Sequence, residues 1–222
     1  MASRTALDRS LTVFSERLDR IRQDLYYCDA LALHPGRRDV ATGIEAGTYI
    51  WLAAALEAVV NDLLSATLNE INVQRLPLRD TRLSLFALTR APEHDSLQQV
   101  RGLKMWQRRA EIHVSIESAQ PCVLALDRLP LDGRTIRPQH LETVWAVFGF
   151  SGDPTRSSLH RLALNDLAAA RNELAHGGEQ VGAVAGRKTR QELLRLVELV
   201  EDLALNLWEV CEHYIDTQGF KR

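Results

Sequence analysis

The feature that most constrains the fold is a regular apolar stripe near the start of the chain. This spacing keeps its members on one face of an α-helix, so it predicts a long helix packed against neighbours along its length. We therefore expect a helical bundle. The stripe alternates steps of four and three residues through Leu7, Leu11, Phe14, Leu18, Ile21, Leu25 and Cys28.

Later segments are also predicted to be helical. Pro35 and Gly36 end the first helix, and a second is expected over about residues 41–69. The middle of the second helix is apolar on nearly every face, which predicts the buried centre of the bundle. Three more helices are expected. The first resumes at about Gln139, and the last covers about residues 187–214 after a loose loop. Between them, a helix from Asp153-Pro154 to Gly177-Gly178 carries the apolar residues Leu159, Leu162, Leu167, Ala170 and Leu174.

Residues 71–137 interrupt the helical pattern with Pro77, Pro92, Pro121 and Pro130. Helical stretches are expected near residues 83–89 and 97–118, and Asp132-Gly133 could close a short hairpin. We therefore predict one all-α domain over residues 1–222. It is a bundle of four or more long helices, with residues 71–137 as an irregular insertion between the second and third core helices. From its position alone, we hypothesise that the insertion sets substrate or partner selectivity.

Composition narrows the class of protein. Hydrophobic residues make up 45% and charged residues 25%, which is ordinary for a soluble globular protein, and the net charge of −2 gives no global signature of polyanion binding. Glu57 interrupts the most apolar run, and no signal peptide is visible, so we expect a cytoplasmic protein without a membrane anchor. The widely separated Cys28, Cys122 and Cys211 predict core thiols, and no metal or cofactor is expected.

The most informative motif is "RNELAHGG", in which Arg171 precedes His176 by five residues. Spacing alone is weak evidence, because 24 Arg and 7 His in 222 residues give roughly 0.8 such pairs by chance, and the pair of Arg108 and His113 has the same spacing. On a continuous helix, Asn172 and His176 lie about 40° apart, whereas Arg171 lies about 140° from His176. Arg171 and His176 can therefore meet on one ligand only if the helix unwinds or if a second subunit completes the site.

The residue types of this motif suit cleavage of RNA by its own 2′-hydroxyl. A histidine at a helix C-terminus is favoured in its protonated form and could transfer a proton. The guanidinium of Arg171 could offset the charge of a phosphorane, and Asn172 could bind the imidazole or a ribose hydroxyl. The alternative is an ordinary helix end, in which Arg171 is solvated and His176-Gly177 form a cap.

Two further sets of residues are candidates. Glu57 is the lone acid in "WLAAALEAVV", so it could face Arg171 and His176 and orient one of them; the alternative is an exposed helix edge. Arg101, Lys104 and Arg108 form a basic stripe with Arg109 and Trp106 nearby, which could follow an RNA backbone and stack a base. The alternative there is a solvated face with Trp106 in the core. His113 is regarded as a chance match, and the histidines show no metal-ligand spacing.

The stretch "LNDLAAARNELAHGG" closely resembles the signature of HEPN-domain proteins, in which an arginine precedes a histidine on a late helix of an all-α bundle. The segments "ALEAVVNDLL", "RGLKMWQRRAEI" and "LPLDGRTIRPQHLETVWAVFGF" are similar to the RiboL-PSP-like type of HEPN. The resemblance implies a metal-independent endoribonuclease of toxin-antitoxin or phage-defence systems that acts as a homodimer with both motifs in one cleft. Arg171 and His176 would be catalytic and Asn172 supporting, and an antitoxin protein is a possible partner.

Two other functions remain open at this point. Relatives that carry the motif need not all be active, so the chain could be a non-catalytic helical module that binds RNA or a protein partner. It could also be a purely structural dimerisation bundle. The sequence does not say which RNA would be cut.

Overall fold

The computed structural model describes residues 2–89, 91–131, 133, 135–176 and 181–222, without the side chains of residues 2, 3, 35, 91, 92 and 176. Within these ranges the chain is helical and contains no β-strand, only the isolated bridges of Pro77 with Pro121 and of Thr81 with Lys221. The predicted all-α class is therefore confirmed. The α-helices are α1 (Ala2–Ala32), α2 (Arg38–Val73), α3 (Phe86–Thr89), α4 (Ala91–Ser96), α5 (Leu103–Ser115), α6 (Pro138–Phe148), α7 (Ser158–His176), α8 (Val181–Ala185) and α9 (Arg190–Asp216).

Four long helices, α1, α2, α7 and α9, form the bundle around one continuous core. The α1 stripe from Leu7 to Cys28 lies on the buried side of its helix as predicted, with Leu11 partly buried. The helix α2 packs against α1, α7, α8 and α9, which makes it the centre of the bundle. Within the described ranges it is also the one helix that is long and apolar enough to span a membrane, but more than half of its most apolar window is buried inside the protein.

The segment 71–137 is broken as expected, yet it belongs to the same core. Leu78, Phe86 and Ile136 lie in the core cluster with residues of the long helices. Residues near the C-terminus hold the segment in place: the Arg82 N–H donates to the Phe220 carbonyl at 2.8 Å, and Phe220 is fully buried. The insertion is thus packed onto the bundle and helps to close it.

Two predictions within this segment need correction. The helical stretch expected near residues 97–118 is shorter than predicted: α5 spans Leu103–Ser115, because Gly102 just before it adopts a positive φ of 65°, outside the α-helical region. The hairpin predicted at Asp132-Gly133 lies partly outside the described residues, since these omit Asp132 and Arg134. The described residues on either side of that turn are not in strands.

The helix α6 matches its prediction, with Leu141, Val144, Trp145 and Phe148 buried. The next helix, α7, begins at Ser158 and not at Asp153-Pro154 as predicted. The Asp153 carboxylate accepts hydrogen bonds from the Thr155 N–H at 2.8 Å and from the Thr155 hydroxyl at 2.9 Å, and Arg156 takes a left-handed φ of 52°. These features form a turn, so the helix starts only after it.

The start of α9 also differs from its prediction, by about three residues. Thr189 is the N-cap: the Glu192 N–H lies 3.3 Å from its hydroxyl, and its own N–H donates to the Glu192 carboxylate at 2.7 Å. This reciprocal capping box fixes the helix start at Arg190. The preceding segment, expected to be a loose loop, contains the short helix α8.

Cys28, Cys122 and Cys211 are buried free thiols, as predicted.

Candidate functional site

The buried face of α7 follows the same spacing of four and three residues as α1. A residue seven positions further along an α-helix returns to within about 20° of the same direction, so the stripe continues straight down one face. Leu164 and Leu167 in the middle are fully buried. The stripe consists of His160, Leu164, Leu167, Arg171 and Leu174. Two polar residues therefore occupy positions where a packed helix normally places apolar side chains.

The two polar residues of this stripe, His160 and Arg171, differ in their hydrogen-bond and ion-pair partners. His160 is buried and hydrogen-bonded through both ring nitrogens. Arg171 is half-buried, and its guanidinium has no hydrogen-bond or ion-pair partner among the described residues. Other partly buried arginines contrast with it, since Arg22 and Arg190 each pair with acidic side chains. A guanidinium without a protein partner is available to bind an anionic ligand.

The two acidic residues of α7, Asp166 and Glu173, do not neutralise Arg171. The Glu173 carboxylate pairs with the Arg187 guanidinium, and the Asp166 carboxylate accepts from the Lys188 ammonium at 2.8 Å. Both cations lie in the connection between α8 and α9. Because these acids already have partners, the positive charge of Arg171 is left available at the C-terminal end of α7.

The other two residues of the motif are only partly described. Asn172 is half-buried, and its side chain makes no hydrogen bond to a described residue. The backbone of α7 is helical through His176, so the predicted divergence of Arg171 and His176 on one helix holds for the backbone. The His176 side chain and the Gly177-Gly178 stop lie outside the described residues. A meeting of Arg171 and His176 on one ligand therefore stays a prediction.

Glu57 lies elsewhere on α2. It is half-buried and lines a pocket of about 190 Å³ with Asn61 and residues of the insertion, including Leu126 and Ile136. No residue of α7 lines this pocket, and no hydrogen bond or ion pair to Arg171 is present among the described residues. No observed contact therefore supports an orienting role for Glu57 at the motif.

The predicted basic stripe lies on and just before α5. Arg101 precedes the helix, whereas Lys104 and Arg108 are exposed on it, and Arg108 pairs with Glu111. The expectation that Trp106 is in the core is wrong, because its side chain is 62% exposed. The Arg109 guanidinium lies 5.1 Å from the Trp106 ring centroid in a cation–π contact, so both groups are presented to solvent.

Sequence reasoning missed Tyr49, which appeared only as part of an apolar run. Its side chain is buried between the long helices, and its hydroxyl has no hydrogen-bond partner among the described residues. Burial, with the charge of Asp166, raises the pKa of Tyr49 to about 12. The hydroxyl therefore stays protonated near the C-terminal half of α7. No periodicity signal distinguishes such a tyrosine from an apolar core residue.

Sequence reasoning also missed a polar network at the other end of α7. The Ser157 hydroxyl lies 2.7 Å from His160 Nδ1, and His160 Nε2 lies 2.8 Å from Asp202 Oδ2. Arg156 adds contacts to Asp202 and to Asn206, whose Oδ1 accepts from its Nε at 2.7 Å. The spacing Ser157-x-x-His160 was readable in the sequence, but Asp202 and Asn206 are distant along the chain and only the packing of α9 brings them in.

No metal site accompanies these groups: no cluster of three or more His, Cys, Asp or Glu side chains suited to a metal ion occurs among the described residues. Comparisons of the chain with protein-family models, with curated proteins and with solved structures find no match in any of the three.

Proposed function

We propose that the protein is a metal-independent endoribonuclease of the HEPN type, with its active site at the C-terminal end of α7. The observation that carries this proposal is the uncompensated charge of Arg171. It continues the buried stripe of α7, it lacks a partner among the described residues, and the neighbouring acids Asp166 and Glu173 are paired elsewhere. A guanidinium in that state is suited to bind a phosphate group through two parallel hydrogen bonds.

In the proposed reaction, the 2′-oxygen of a ribose attacks the adjacent phosphorus. The bond from phosphorus to the 5′-oxygen of the next nucleotide breaks, which leaves a 2′,3′-cyclic phosphate and a 5′-hydroxyl. His176 transfers a proton as general acid or base, and Arg171 stabilises the charge that develops on the phosphorane. Asn172 supports the imidazole or a ribose hydroxyl. The reaction requires no cofactor.

The site is proposed to be completed by a second copy of the chain, because Arg171 and His176 diverge on one helix. The end of the molecule next to α8 offers a surface for this contact. The helix α8 packs against both α7 and the start of α2, where Gly182 lies next to Thr42. We call this region, where α1 connects to α2, the hairpin end. Its exposed apolar residues are Tyr27, Leu33, Val40 and Val181. A two-fold contact across the hairpin end would bring two α7 ends together.

The exposed face of α5 is the proposed RNA-binding surface outside the site. Lys104 and Arg108 supply positive charge on one side of this exposed helix. About 160° around it, Trp106 offers an exposed ring on which a base can stack, with the Arg109 guanidinium 5.1 Å from the ring centroid. The chain would act in the cytoplasm, in a toxin-antitoxin or phage-defence system with an antitoxin as a second partner. This context rests on the resemblance of the motif.

The test is cleavage of total cellular RNA in the presence of EDTA. Wild type is expected to produce discrete fragments with cyclic phosphate ends, and His176→Ala is expected to lower the rate by about 10²-fold or more. Arg171→Ala should also lose cleavage, whereas Arg195→Ala, on the exposed side of α9, should retain it. Loss of wild-type cleavage in EDTA that returns with added metal would contradict the metal-free mechanism.

A second candidate is a non-catalytic helical module that binds RNA or a protein partner. The exposed apolar face of α5, with Leu103, Trp106 and Val114, favours this alternative, because such a face is typical of interaction surfaces. This candidate predicts that the wild type binds RNA without cutting it and that Trp106→Ala weakens binding. Cleavage that depends on His176 would exclude it.

A further inference from the structure

The network at the N-terminal end of α7 links a hydroxyl, an imidazole and a carboxylate in one line. Ser157 Oγ lies 2.7 Å from His160 Nδ1, and His160 Nε2 lies 2.8 Å from Asp202 Oδ2. The imidazole is nearly inaccessible, with 8% of its side chain exposed, whereas Ser157 is only half-buried. The imidazole is therefore largely enclosed, whereas Ser157 lies at the edge of the network and is partly accessible.

The carboxylate determines which nitrogen of the neutral imidazole carries the proton. An ionised carboxylate only accepts hydrogen bonds, so His160 Nε2 must donate to Asp202. Nδ1 of neutral His160 is then unprotonated and accepts the hydroxyl hydrogen of Ser157. The other Asp202 oxygen accepts a hydrogen bond from Arg156 Nη1 at 3.4 Å, so both carboxylate oxygens have donors. The network thus places an unprotonated imidazole nitrogen within hydrogen-bond distance of the serine hydroxyl.

A purely structural reading would make Ser157 the N-cap of α7. An N-cap serine accepts a hydrogen bond from the backbone N–H two or three residues later. Here the His160 N–H lies 3.5 Å from Ser157 Oγ, at the limit for a hydrogen bond, whereas the imidazole nitrogen is at 2.7 Å. The short contact of the hydroxyl is therefore with the base and not with the backbone.

The start of α7 also supplies donors for a developing negative charge. The first backbone N–H groups of a helix lack acceptors within the helix and carry partial positive charge, so those of Ser158 and Leu159 can stabilise an oxyanion beside Ser157. A serine followed three residues later by a basic side chain also occurs in acyl-transfer enzymes that carry the S-x-x-K motif.

We propose that Ser157 is a nucleophile that accepts acyl groups from small carboxylic esters, with His160 as its general base. The Ser157 oxygen bonds to the ester carbonyl carbon while its proton passes to His160 Nδ1. The ester C–O bond then breaks, and His160 returns the proton to the departing alkoxide. In deacylation, a water oxygen bonds to the acyl carbon while its proton passes to His160 Nδ1. The bond from that carbon to the Ser157 oxygen then breaks, and His160 returns the proton to Ser157. Asp202 positions His160. This activity is separate from the proposed ribonuclease site at the opposite end of α7.

The experiment is reaction of the full-length protein with a fluorophosphonate probe, which phosphonylates activated serines. One adduct per chain is expected by intact mass, and fragmentation of the tryptic peptide 157–161 should locate it on Ser157. His160→Gln is expected to slow labelling by about 10²-fold, and Asp202→Asn should also slow it. Ser10→Ala, a change at a serine of α1 whose hydroxyl donates to the Ala6 carbonyl at 3.0 Å, should leave the rate unchanged. Hydrolysis of p-nitrophenyl acetate should follow the same order.

Several results would overturn the proposal. A folded wild-type protein that forms no adduct lacks an activated serine. An adduct at another residue, or labelling of Ser157 at an equal rate in His160→Gln, would show that the network only holds the turn to α9. Because site mapping uses the wild type, a variant that fails to fold does not block this test. Arg171→Ala should label normally, so failure of the ribonuclease proposal would not affect the outcome.

Discussion

Arg171 is the residue at which stability and the proposed chemistry compete. It follows Leu164 and Leu167 on the buried stripe of α7, where an apolar side chain would pack against the core. A half-buried guanidinium without a partner among the described residues contributes less to folding than such a side chain would. Functional sites commonly retain residues of this kind at some cost to stability.

This conflict predicts that Arg171→Leu stabilises the protein while removing ribonuclease activity. The substitution completes the apolar stripe and removes a partly desolvated charge, so we expect the free energy of unfolding to rise by about 1 kcal/mol. Urea unfolding followed by circular dichroism measures the change. Arg195→Leu, at an exposed position of α9, should give no such gain. A clear loss of stability in Arg171→Leu would mean that Arg171 holds the fold together, which would remove the main support for the proposed site.

At the scale of elements, capping residues set helix boundaries that apolar periodicity left uncertain. The helix α9 shows this most directly, because Thr189 and Glu192 bond each other reciprocally at its start. Hydrogen bonds from the Thr189 backbone and side chain lower the pKa of the Glu192 carboxyl. The ionised carboxylate is thus the form that the folded helix favours.

Thr189→Ala is expected to lower the free energy of unfolding by about 1 kcal/mol at pH 7, because the N-cap hydroxyl is lost. The sign of the pH dependence follows from the lowered pKa of Glu192. The contribution of the carboxylate is complete above its unfolded pKa and is lost as the pH falls through its folded pKa. The difference between wild type and Thr189→Ala should therefore shrink in acid.

Denaturant titrations at pH 7 and at about pH 3.5 measure this effect, since the ordinary glutamate pKa is about 4.3. The matched control is Thr217→Ala at the other end of α9, whose hydroxyl donates to the His213 carbonyl at 2.7 Å and touches no carboxylate. Its effect should not depend on pH. A Thr189→Ala difference that stays constant in acid would contradict the role of ionised Glu192.

For the whole molecule, the proposed dimer would place its contact at the hairpin end. Leu33 is 82% exposed there, and Tyr27, Val40 and Val181 are exposed around it. Exposed apolar residues in one region commonly mark an interface. The proposed site needs such an interface, because Arg171 and His176 lie on different sides of the same α7 helix.

We expect light scattering coupled to size exclusion to give about twice the chain mass of 25.0 kDa. Leu33→Glu should shift the mass to that of one chain and abolish RNA cleavage, because a buried unpaired charge opposes association. Val73→Glu is a matched control, since Val73 is similarly exposed at 75% but lies at the opposite end of α2. A monomeric wild type that cleaves RNA, or equal effects of both substitutions, would exclude this end as the dimer interface.

Apolar spacings of four and three residues predicted the helical class and the main helices, because they report directly which side of a helix is buried. The sequence also located the motif of Arg171 and His176 on the late helix α7. It could not show that Trp106 is exposed or that α7 begins after a turn, because these depend on packing and on local hydrogen bonds. Only the tertiary structure left Arg171 without an acidic partner among the described residues and joined His160 to Asp202 across 42 residues. The physical reason is that periodicity encodes burial, whereas partners for polar groups come from chain segments distant in sequence.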